Sequence, residues 1–77
     1  MCYILAKAFD EEGCVALKAD RGPELAKLRR ELDESSSGKG IQIVTISRPS
    51  AYGEYSPYRF VETKDELRHT VANMTSK

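Results

Sequence analysis

With 77 residues and twelve basic side chains balanced by twelve acidic ones, the chain has room for one domain and no net charge to offer a polyanion. That balance speaks against a general nucleic-acid binder, which carries a basic excess, and no apolar run approaches the length that crosses a bilayer. A chain this short hides only about 60–65% of the surface its unfolded form exposes, so its stability is expected on the order of a few kcal/mol.

The opening Met-Cys-Tyr-Ile-Leu-Ala-Lys lacks the basic segment and long apolar stretch of a signal peptide, and a cytoplasmic setting is expected. Residues 2–9 and 14–19 read as two strands joined by the acidic turn Asp10-Glu11-Glu12-Gly13, where Gly13 supplies the positive φ such turns favour. Pairing Phe9 with Cys14 puts Ile4, Ala6 and Ala8 on one face with Val15, Leu17 and Ala19, all of them apolar. Tyr3, Leu5, Lys7, Phe9, Cys14, Ala16 and Lys18 take the other face. A one-residue slip would mix the two sets, so the pattern specifies the faces. Cys2 and Cys14 then lie on opposite faces, and free thiols in a reducing compartment are expected.

Gly22-Pro23-Glu24 marks a helix start, with proline at the first helical position and glutamate at the positive end of the dipole. Leu25, Leu28 and Leu32 recur as one apolar stripe, while Lys27–Glu31 and Arg30–Glu34 place opposite charges one turn apart on the remainder. Ser35-Ser36-Ser37-Gly38-Lys39-Gly40 reads as a flexible connection. The stretch Ile41 to Ser47 is β-branched nearly throughout and apolar on both faces, which predicts a central strand. Arg48 to Pro57 is a loop, and Tyr58-Arg59-Phe60-Val61 a short fourth strand. Thr63-Lys64-Asp65-Glu66 fits a capping box at the head of a second helix, whose stripe is Leu67, Val71 and Met74.

This β-β-α-β-β-α order predicts an α+β fold over residues 1–77: a four-stranded, mainly antiparallel sheet with both helices on one face. Tyr3, Leu5, Phe9 and one side of the third strand would then be exposed on the reverse face. Contiguous apolar surface of that kind marks a contact site. Either the tyrosine-bearing loop or a second copy of the chain, in a homodimer, would cover it.

The segment Ser47 to Arg59 carries the most distinctive chemistry. Ten residues is long for a hairpin connection, and Tyr and Arg are the residues most enriched at binding hot spots. Tyr52, Tyr55 and Tyr58, spaced by three, would line one side of an extended segment. Arg48 and Arg59 would hold a carboxylate or phosphate. Arg48, Tyr52, Glu54, Tyr55, Tyr58 and Arg59 form the candidate binding set. In the plainer alternative the tyrosines pack over the spare sheet face and the prolines stiffen the turn.

The pieces Met1-Cys2-Tyr3, Gly13-Cys14-Val15-Ala16-Leu17-Lys18 and Ile46 to Tyr55 resemble a family of short, uncharacterised bacterial proteins. Those proteins open Met-Cys-Tyr and carry Gly-Cys-x-Ala-Leu-Lys and Ile-Ser-Arg-Pro-Ser-Ala-Tyr-Gly-Glu-Tyr segments. The resemblance covers most of the chain and implies a domain of unknown function. It supplies no active site to carry over.

Other constellations fall short of a site. Cys2 as an N-terminal nucleophile would need a far larger amidotransferase fold. Ser36-Ser37-Gly38-Lys39 has Asp33 and Gly40 where a phosphate loop needs Gly and Ser or Thr, and it runs from helix to strand. His69, with Asp65 one turn before it, has no cysteine pair to complete a zinc site. Asp10, Glu11 and Glu12 lack calcium-loop spacing. No metal or cofactor is expected. Lys18, Arg21, Lys27, Arg29 and Arg30, with the loop tyrosines, would suit RNA or single-stranded DNA; the plainer alternative is a salt-bridged surface helix. The leading expectation is a non-enzymatic interaction module that binds a protein partner or itself through residues 48–59 and the helix-free sheet face. Nucleic-acid binding is the second reading, and enzymatic activity the last.

Overall fold

In the computed structural model, which describes residues 1–9, 11–50 and 52–74, the chain runs β1 (Cys2–Ala8), β2 (Cys14–Ala19), α1 (Pro23–Ser36), β3 (Ile41–Ile46), β4 (Tyr58–Val61) and α2 (Lys64–Asn73). The strands form one sheet in the order β3-β1-β2-β4. β1 is antiparallel to β2 and β3, whereas β2 and β4 are parallel. The sheet is therefore mixed rather than mainly antiparallel: three strands run one way and β1 alone runs the other.

The reason lies in the connections. α1 carries the chain from β2 past β1 to β3, and residues 47–57 carry it from β3 past β1 and β2 to β4. Both connections are crossovers joining strands of like direction, which no tight turn can do. The second hairpin expected from the sequence does not form.

The strand expected at the centre, β3, lies at an edge. Its two-sided apolar pattern reflects cover above and below. Ile41 and Ile43 belong with the helix-side core, while Val44 and Ile46 pack in the cluster on the reverse face. The β1–β2 pair joins Ala6 to Val15, Ile4 to Leu17 and Cys2 to Ala19. This differs by two residues from a register joining Phe9 to Cys14. An even shift leaves every side chain on its expected face, and the wider turn is held by Glu11 N–H to Ala8 O (3.2 Å) and Lys7 Nζ to Glu11 O (3.0 Å).

Both helices cover one face. Leu25, Leu28, Leu32, Leu67, Val71 and Met74 close over Ile4, Ala6, Ala8, Val15, Leu17, Ile43 and Val61. The alanines of β1 leave room for the leucines above them. α1 runs one turn past its last leucine, so Ser35 and Ser36 belong to the helix and not to the connection. Ser36 continues the stripe of Leu25, Leu28 and Leu32, and its buried hydroxyl donates to Asp33 O (3.2 Å). At α2, Thr63 Oγ1 accepts from Glu66 N–H (3.0 Å), but Glu66 reaches past the cap and accepts from Glu62 N–H (3.3 Å).

Charges join the two helices. Lys64 meets Glu24 (3.0 Å), and Arg68 meets both Glu31 (2.8 Å) and Asp65 (2.7 Å). The i,i+4 pairs expected along α1 form no ion pair among the described residues; Glu31 turns to Arg68 of α2 instead of Lys27. Cys2 and Cys14 are free and buried in the clusters on opposite faces of the sheet. Among the described residues no helix is long and apolar enough to cross a membrane.

Candidate interaction surface

Strand alternation builds the helix-free face in rows. Ile46, Tyr3 and Lys18 form one row, and Val44, Leu5, Ala16 and Phe60 the next; Gln42 and Lys7 sit together beyond them, with Cys14 beside Tyr58 on the neighbouring strands. Leu5 and Ala16 have no exposed surface and Cys14 almost none, so the centre of this face is not open as expected. Tyr55 and Tyr58 pack against these three residues, together with Tyr3, Val44 and Ile46. The cover is the crossover loop. Strands of this length rise roughly 20 Å, and three strand spacings add about 14 Å across, a diagonal of about 25 Å. Eleven residues from Ser47 to Pro57 reach about 36 Å when extended. The loop is therefore long enough to cross the face and still fold into turns.

Those turns decide where each tyrosine goes. Gly53 N–H donates to Ser50 O (3.2 Å) and Ser56 N–H to Gly53 O (3.1 Å). The segment is not extended, and the three tyrosines do not share a side. Tyr55 and Tyr58 turn to the sheet, while Tyr52 is 99% exposed. Ser50 N–H donates to Tyr58 Oη (3.2 Å), which ties the start of the loop to β4. At the far end Cys14 N–H donates to Pro57 O (3.0 Å). Gly13, at φ 79°, lies so close to Pro57 O that a Cβ there would overlap it. Burial pushes the Cys14 thiol above its ordinary pKa, with the nearby Lys7 ammonium partly opposing this.

The remaining candidate residues scatter. Arg48 follows β3 at one edge of the sheet, and Arg59 belongs to β4 at the other. The structure does not bring them together around one anion. Arg59 also stands opposite Val15 on the helix side, beside a cleft with His69, Asn73 and Met74, so it faces away from Tyr58. Glu54 is exposed on the loop. Arg29 borders β3, so it and Arg59 occupy opposite sheet edges. His69 is exposed against Asn73 (Nε2 to Nδ2, 3.1 Å), and Asp65 pairs with Arg68 instead. Asp10 lies outside the described residues. Among the described residues no group of three His, Cys, Asp or Glu side chains is placed to hold a metal ion.

One surface residue escaped the sequence reading. Phe60 is 55% exposed, with its ring 6.0 Å from Tyr3 edge-on and 6.1 Å from Tyr58 in a stack. The signal was present: period-two alternation in Tyr58-Arg59-Phe60-Val61 puts both aromatics on one face and Arg59 on the other.

Fold and surface together define a small α+β domain whose helix-free face is roofed by an aromatic crossover loop. The chain belongs to a family of unknown function, DUF6718, whose model matches residues 1–74 and so takes in every strand, both helices and the loop. No curated protein matches it.

Proposed function

We propose that the chain is a non-enzymatic interaction module that offers Tyr52 and the Phe60–Tyr3 patch of the helix-free face to a protein partner. The observation that carries this reading is the full exposure of Tyr52 on a loop held down by Tyr55, Tyr58 and the Ser50–Tyr58 hydrogen bond. Burying a large apolar side chain is worth roughly 1.5–3 kcal/mol, and a loop already ordered loses little further entropy on binding. Arg48 and Glu54, both exposed, supply the polar rim such patches carry. Arg59 faces the other side of the sheet and is not part of this surface.

The test compares affinity enrichment on immobilised wild type and on Tyr52→Ala, each with a thermal melt. The variant is expected to lose specifically retained proteins while its stability stays within about 0.5 kcal/mol, as for surface changes generally. Sedimentation equilibrium of both proteins shows whether the partner is a second copy. Identical retained proteins and identical sedimentation for the two would refute the reading.

A further inference from the structure

Among the described residues β3 pairs only with β1, and its six residues Ile41 to Ile46 form the sheet's outer edge. Among the described residues its backbone makes no hydrogen bond to the loops. Edge strands are usually blunted by charge, proline or a bulge, because a row of unpaired N–H and C=O groups templates another strand. Ile-Gln-Ile-Val-Thr-Ile has no charge and no proline, and its register with β1 runs unbroken from Ile41 to Ile46. This edge is built to pair.

Its surroundings are cationic. A groove of about 390 Å³ between the head of α1 and Thr45 is lined by Arg21, Gly22, Leu25, Ala26 and Arg29. Arg48 follows two residues beyond the strand, and Lys39 lies two residues before it. Arg21, Arg29 and Arg48 are exposed and make no ion pair among the described residues. Asp33, one turn on from Arg29, is the acid on that flank and is likewise unpaired there.

We propose that the outer edge of β3 accepts an extended acidic segment of a partner protein as an added strand, with its carboxylates held by Arg21, Arg29 and Arg48. Backbone hydrogen bonds would supply the pairing and the arginines the selectivity, as in strand addition generally. Charge complementarity selects this occupant over a second copy. Two β3 strands paired about a two-fold axis centred between Ile43 and Val44 would bring Arg48 of each copy towards the Lys39 end of the other, where Lys39 Nζ donates to Ala72 O (3.5 Å), so like charges would flank both ends of the pair. The site is on the sheet edge, shares only Arg48 with the rim of the Tyr52 surface, and stands without that reading.

The test uses the full chain, nitrogen-15 labelled, and three capped eight-residue peptides. One alternates glutamate and valine, one alternates lysine and valine, and one is the acidic peptide with alternate amides N-methylated. The acidic peptide is expected to shift the β3 amides and slow their exchange. Its binding should weaken as salt rises and fall about tenfold in the Arg21→Glu/Arg29→Glu double variant, checked for folding by its melt. The lysine and N-methylated peptides should leave β3 unchanged. Equal binding of either control overturns the proposal. So does protection of β3 that grows with protein concentration without peptide, which would identify a second copy as the occupant. Shifts confined to residues 49–50 and 52–58 also overturn it, while leaving the Tyr52 reading intact.

Discussion

At Gly13 two demands meet on one atom that is missing. The backbone sits at φ 79°, and the space a Cβ would need is taken by Pro57 O. Gly13→Ala is expected to cost about 1–2 kcal/mol for the left-handed backbone alone, plus the displacement of the loop's anchored end. A urea midpoint equal to wild type would contradict this. Cys14, the next residue, is buried beneath the same end of the loop, and its thiol is raised above its ordinary value of 9.0, by burial first, with Lys7 opposing. The unfolded chain therefore ionises first as the pH climbs. This contribution to stability is full below about pH 9 and is lost as the pH rises from there through the folded value. Unfolding midpoints of wild type and Cys14→Ala at pH 8 and 10 should show a smaller alkaline loss in the variant; equal losses would refute it. At this scale the sequence was readable where strand periodicity governs, as in the separation of Cys2 from Cys14. It was not readable at Tyr52 against Tyr55, because the Ser50–Gly53 and Gly53–Ser56 hydrogen bonds, rather than spacing, set their directions.

Helices α1 and α2 show what stripes and caps can settle. Leu28, Leu32, Leu67 and Val71 are all buried, as their spacing requires. Leu28→Ala is expected to cost roughly 2–5 kcal/mol, comparable with the whole stability of so short a chain. Circular dichroism should find the variant largely unfolded at 37 °C, and a melt like that of wild type would contradict the packing. The ion pairs between the helices were not legible, since Glu24 and Glu31 find Lys64 and Arg68 only after both helices dock. The Glu24 carboxyl lies below its ordinary 4.5, chiefly through the hydrogen bond from Lys64 and then its charge. Its stabilising contribution is present above that ordinary value and lost as the pH falls through the lowered folded value. Being fully exposed, it should be screened by salt. The acid limb of stability should flatten in Glu24→Gln at low salt and match wild type in 1 M salt. β3 misled for a physical reason: apolar residues on both faces report layers above and below a strand, not neighbours on both sides.

For the whole molecule the decisive fact is that α1 and residues 47–57 cross the sheet on opposite sides. Two hairpins and two crossovers share the same order of elements, so local pattern could not choose between them. The choice fixes the candidate site. It covers Leu5 and Ala16, holds Tyr55 and Tyr58 down, lifts Tyr52 into solvent and sends Arg48 and Arg59 to opposite edges. The most direct measurement is a set of nuclear Overhauser contacts from the tyrosine rings in the full chain. The rings of Tyr55 and Tyr58 should show contacts to the Leu5 and Ala16 methyls, and the Tyr52 ring none. Absence of any contact from Tyr55 and Tyr58 to that cluster, or strong contacts from Tyr52, would contradict the account.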